Sequence, residues 1–147
     1  DYSGVSNWRP PLQWTLTTND RYYGTRVRSA YVVKSGSGNQ TATWKIPVPN
    51  AGTYDLFYWV YKPDDVRHRG GWGRGGGRGR ARGDAEYRFQ VHYDGGEDAA
   101  YIDLRRADDG WSLLGTYFFS EDTVRVVLSD ECKLRSVTAD AVRIVRR

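Results

Sequence analysis

Gly110-Trp111-Ser112-Leu113-Leu114-Gly115-Thr116-Tyr117-Phe118-Phe119 is the stretch that decides the fold. It is bounded by one glycine, interrupted by another and dense in aromatic residues. That composition suits a buried strand with a bend or bulge at Gly115 and does not suit a helix. Downstream, Val124, Val126 and Leu128 alternate with Thr123, Arg125 and Val127, the two-residue period of a half-buried strand. The run from Val137 to Val145 is apolar enough to return to the same core. Successive strands at the end of a chain need earlier strands to pair with.

Earlier segments supply them. Residues 1–14, with Pro10-Pro11, are irregular because prolines bring no amide donor to a ladder. Strands are expected over Leu12 to Thr18, Val27 to Lys34, Thr41 to Pro47 and Thr53 to Lys62. In the last of these, Tyr54, Leu56, Tyr58 and Val60 alternate with Asp55, Phe57, Trp59 and Tyr61, so one face is core and the other is either core or an aromatic surface. Ala85 to Asp94 resumes the sheet with Tyr87, Phe89, Val91 and Tyr93 inward, and Asp94-Gly95 suits a hairpin turn leading to a strand over Ala100 to Leu104. Roughly eight or nine short strands at near-regular spacing predict an all-β chain, a jelly-roll-like β-sandwich.

At 147 residues the chain is expected to form a single domain. Its start at Asp1 fits a mature or excised piece of a longer product, and no apolar run is long enough to span a membrane. One cysteine, Cys132, excludes an internal disulfide framework and a CxxC-type zinc site. The net charge of +4 is concentrated in a tract from Arg67 to Arg82 that holds six arginines and no acidic residue. Residues 67–83 lack both periodicity and branched aliphatic side chains. They are expected to form a long arginine-glycine loop inserted between two strands.

Sugar binding by β-sandwich modules needs aromatic rings for stacking and polar groups that replace water on hydroxyls. The candidates are Tyr22, Tyr23, Trp59, Tyr61 and Trp72, with Arg67, Arg74 and His92 as polar partners. Trp44, Trp111, Tyr54 and Tyr87 are read as packing residues, whereas for Trp72 and Tyr22 the ligand and packing readings stand side by side. The arginine-glycine tract also has the composition of RNA-binding segments, and arginine forks pair equally with carboxylates of an acidic polysaccharide or of a neighbouring subunit. A glycan or protein contact is favoured over RNA.

Catalytic and metal signals are thin. Asp64-Asp65, Asp94 with Glu97 and Asp98, and Asp108-Asp109 fall in expected turns, where calcium is a minority reading and solvated carboxylates the ordinary one. No other cofactor is indicated. His68 and His92 have no HExxH or serine-elbow context, and Cys132 has no identifiable base. Asp140, between Ala139 and Ala141, is expected to be a hydrogen-bonded structural carboxylate.

In order, Thr41-Ala42-Thr43-Trp44, Asn50 to Val60, Tyr87-Arg88-Phe89-Gln90-Val91-His92-Tyr93-Asp94-Gly95, the Gly110 to Phe119 stretch and Thr138-Ala139-Asp140-Ala141-Val142-Arg143 give the chain its signature. Laid out this way the chain resembles the golvesin C-terminal-like domain, also called the xanthan-lyase carbohydrate-binding-like domain. The resemblance implies a jelly-roll sandwich that accompanies secreted bacterial enzymes acting on polysaccharides or cell-wall material. It implies a non-catalytic, extracellular, carbohydrate-binding accessory module. Two other readings stand beside it: a self-associating structural subunit, and RNA binding through the arginine tract. The arginine-glycine insert departs from the family pattern.

Overall fold

The computed structural model describes residues 14–19, 21–24, 28–63, 66, 85–93, 96–120 and 123–147. The expected loop over residues 67–83 lies outside them, as does the irregular segment before Trp14. Ten strands follow one another: β1 (Thr15–Thr18), β2 (Ser29–Lys34), β3 (Thr41–Pro47), β4 (Gly52–Val60), β5 (Glu86–Tyr93), β6 (Gly96–Asp103), β7 (Gly110–Phe119), β8 (Thr123–Ser129), β9 (Ser136–Ala139) and β10 (Val142–Arg146). All their pairings are antiparallel.

One layer of the sandwich is the four-stranded sheet β3-β8-β5-β6, and facing it are the sheets β10-β4-β7 and β1-β2-β9. Their inner faces meet through aromatic contacts. The Tyr58 ring lies 5.0 Å from Phe89 and 6.3 Å from Tyr87, and Trp44 lies 6.2 Å from Tyr58. Each pair is edge-to-face, the arrangement that ring quadrupoles favour. The alternation expected of β4 is met in full, with Tyr54, Leu56, Tyr58 and Val60 all buried. Val124, Val126 and Leu128 of β8 and Tyr87, Phe89 and Val91 of β5 complete the core.

The run Val137 to Val145 resolves into two strands, since β9 pairs with β2 and β10 with β4. The break falls at Asp140-Ala141 because the Asp140 carbonyl accepts from Trp44 Nε1 at 3.1 Å and the Ala141 carbonyl accepts the Trp59 amide at 2.8 Å. One expectation needs correction: Glu97 and Asp98 are not turn residues. They begin β6, which is longer than expected, and pair across the ladder with His92 and Val91.

Beside that break, two tyrosine hydroxyls stand in for a neighbouring strand. Tyr58 Oη donates to the Thr138 carbonyl and the Thr138 amide donates to Tyr87 Oη at 3.0 Å. Both tyrosines are buried, and burial pushes their hydroxyl pKa values well above the ordinary range. They act there as neutral hydrogen-bonding groups.

Candidate functional site

The outward face of β10-β4-β7 is the aromatic surface that the sequence left open. Asp55, Phe57 and Trp59 of β4, opposite in parity to the core, and Tyr61 just beyond its end are half-buried. Trp59 pairs across the ladder with Trp111 of β7, and Phe57 pairs with Leu113 on one side and Arg143 of β10 on the other. Tyr23 comes to the same place from the turn after β1. Its ring lies 5.3 Å from Trp59 and 5.2 Å from Trp111, and the two indoles are 5.2 Å apart. The rings are inclined to one another by 57–86°, so the surface is stepped and not flat.

Trp111 was expected in the core, and the bulge puts it outside. Leu56 pairs with Gly115 and Phe57 with Leu113, leaving Leu114 as the extra residue. An extra residue reverses which parity faces inward. Tyr117 and Phe119 therefore point into the sandwich, while Trp111 and Leu113, of the same parity, point out. The bulge was legible beside Gly115.

Backbone and carboxylate contacts fix the cluster from behind. Trp59 Nε1 donates to the Arg21 carbonyl at 3.0 Å, and the Tyr23 amide donates to Asp140 Oδ2 at 3.2 Å. Asp140 is only 2% exposed, and its loss of hydration pushes its carboxyl up to about 7 against the opposing pull of the Tyr23 bond. The expected structural carboxylate is thus the anchor of the turn that carries Tyr23. Tyr61 receives Arg21 Nη2 at 3.2 Å on its hydroxyl and has the Arg21 guanidinium 4.6 Å from its ring centre. Arg143 lies 4.4 Å above Trp111 and 5.2 Å from Phe57.

Of the residues singled out by sequence, Tyr22, Tyr23, Trp59 and Tyr61 converge. Tyr22, for which ligand and packing readings stood side by side, is buried, its ring 4.8 Å from Tyr61 and its hydroxyl 2.9 Å from Thr17 Oγ1. It supports the site without presenting a face to solvent. His92 does not join them. Its neighbours in β5, Phe89 and Val91, are core, so the imidazole points out of the opposite layer and meets Glu97 at 3.2 Å. Trp72, Arg67 and Arg74 lie outside the described residues.

The opposite layer carries a groove of about 430 Å³ whose lining includes Arg88, Gln90, Ala99, Tyr101 and Glu131. Arg88 and Glu131 pair across it at 3.1 Å. Among the described residues no group of three His, Cys, Asp or Glu side chains could hold a metal ion. Asp109 instead accepts the Lys62 amide at 3.0 Å, while Asp64, Asp65 and Asp94 lie outside the described residues. Cys132 is half-buried, which pushes its thiol pKa up and away from nucleophilic use. No helix among the described residues is long and apolar enough to cross a membrane.

An all-β sandwich with an aromatic outer face is the class that these elements define. The chain resembles the Golvesin C-terminal domain, whose family model matches residues 78–146. Its fold is that of part of a solved Paenibacillus xanthan lyase, with a TM-score of 0.72 at 21% identity. That likeness covers 100% of this chain and 12% of the lyase chain. No curated protein sequence matches.

Proposed function

We propose that this domain is a non-catalytic carbohydrate-binding module of an extracellular bacterial protein, and that its glycan sits on the face formed by Tyr23, Trp59 and Trp111. The observation that carries this reading is the packing of three aromatic rings, 5.2–5.3 Å apart, on the side of the sheet turned away from the core. The core does not need them there. Rings so placed offer CH–π contacts to a sugar, and their backbone and carboxylate anchors hold them in place before a ligand arrives. The stepped relief favours one or a few sugar units over a flat crystalline surface. The match in fold to 12% of a xanthan lyase supports an accessory role beside an enzyme acting on a polysaccharide.

Affinity gels cast with neutral and acidic polysaccharides test this. The parent protein is retarded by at least one, and Trp59→Ala or Trp111→Ala removes the retardation without unfolding the domain. Retardation by none of them overturns the reading. Trp72, Arg67 and Arg74 are proposed to extend the contact, and Trp72→Ala in the same gels measures their share.

The exposed Leu113, Phe118 and Val145, at 52%, 62% and 42%, favour a second reading in which this sheet packs against a neighbouring copy. Sedimentation that changes with concentration, and reverts in Phe118→Ser, would support it.

A further inference from the structure

We infer that the aromatic face selects an acidic glycan and that Arg143 is the residue that reads the sugar carboxylate. This rests on the carbohydrate reading above. Arg143 leaves β10 opposite Phe57 in the ladder, and its guanidinium lies 4.4 Å from the Trp111 ring centre and 5.2 Å from that of Phe57. Two rings hold the cation through their quadrupoles, which restrains the side chain while leaving its N–H groups without a carboxylate. Other arginines are spent differently. Arg88 pairs with Glu131, Arg147 approaches Asp55 at 3.7 Å and Arg146 donates to the Ala51 carbonyl at 3.2 Å.

The carboxylates near this face are already engaged. Asp55 accepts Thr116 Oγ1 at 2.6 Å, and Asp140 is buried beneath Tyr23 and accepts its amide. Arg143 therefore stands beside Trp59 and Trp111 as an exposed, restrained cation with no anion of its own among the described residues. In a uronic acid the carboxylate is one bond from the pyranose ring. The guanidinium already covers Trp111, so a sugar ring stacked on the exposed Tyr23, 5.2 Å from Trp111, brings that carboxylate to the guanidinium fork, which can grip both oxygens.

The experiment uses affinity gels of polygalacturonate, the same polymer after carboxyl reduction, and a neutral glucan. The parent protein should bind polygalacturonate and lose most of that affinity on the reduced polymer. Arg143→Gln should weaken binding to polygalacturonate roughly tenfold, the loss of a charge-assisted hydrogen bond. Arg143→Lys should restore only part of it, because an ammonium lacks the planar fork. The arginines between Arg67 and Arg82 attract any polyanion, so the difference between Arg143 variants is the decisive reading.

Unchanged affinity in Arg143→Gln, with its thermal transition unmoved, overturns the inference. So does equal binding to the carboxylated and reduced polymers; Trp59→Ala sensitivity on the reduced polymer would then leave the carbohydrate reading standing. Binding to none of the three overturns both.

Discussion

The Tyr23 amide donates to Asp140 Oδ2 at 3.2 Å across a separation of 117 residues. One bond thus ties the turn after β1 to the break between β9 and β10. The same carboxylate residue offers its carbonyl to Trp44 Nε1 from the core side, at 3.1 Å. Core and outer aromatic face therefore share an anchor, and changes at Asp140 should be felt on both.

Stability should depend on pH through Asp140. Its folded pKa of about 7 lies above the 3.8 of an unperturbed carboxyl, mainly because burial penalises the charged form. A group shifted in that direction favours folding when protonated. Its contribution is fully present below the unfolded value and is lost as pH rises through the folded one. Calorimetry should show Tm falling between pH about 4 and about 7, and Asp140→Asn should flatten that profile. A parent Tm that rises over this interval contradicts the assignment.

Tyr58→Phe and Tyr87→Phe should each lower stability by about 1–3 kcal/mol in urea unfolding, because each leaves a buried Thr138 backbone group unpaired. A core tyrosine whose hydroxyl merely pointed at solvent would show almost no change.

Gly115→Ala should cost about 1–3 kcal/mol. A Cβ there would lie 2.7 Å from Tyr117 Oη and 2.9 Å from its Cζ. The Tyr117 ring has little room to yield, since it stacks at 5.7 Å on Phe119 and also meets Tyr93 at 5.7 Å. Denaturant midpoints for Gly115→Ala and for Gly115→Ala with Tyr117→Ala check the cause. The added change should be small in the double variant if the clash is with Tyr117.

Trp44→Ala should destabilise by about 3–5 kcal/mol, whereas Trp59→Ala should cost clearly less and affect binding. Trp44 is 2% exposed at the centre of the core, and Trp59 stands half-buried on the outer face. Paired urea titrations and affinity gels separate the two effects.

The strands were legible because alternation survives along each one. Tyr54 to Val60 and Val124 to Leu128 point inward as their spacing requires. Trp111 was misread because a bulge changes parity without changing composition, and only the pairing of Leu56 with Gly115 and of Phe57 with Leu113 reveals the flip. Tyr22 and Tyr23 are adjacent and chemically alike, yet one is buried and the other 38% exposed. Their difference lies in contacts to Thr17, Tyr61 and Asp140 that no local pattern encodes. Arg143 gave no signal either. An arginine in a strand is unremarked until Trp111 and Phe57 are seen beneath it.

Indole N–H resonances of the six tryptophans and the backbone amides, followed by NMR while a retained polysaccharide fragment is added, put the proposed binding face to the test. The Trp59 and Trp111 signals should move in a saturable way while that of buried Trp44 stays in place. Saturable shifts confined to Gln90, Ala99 and Tyr101 of the opposite groove, with Trp59 and Trp111 unmoved, would contradict it.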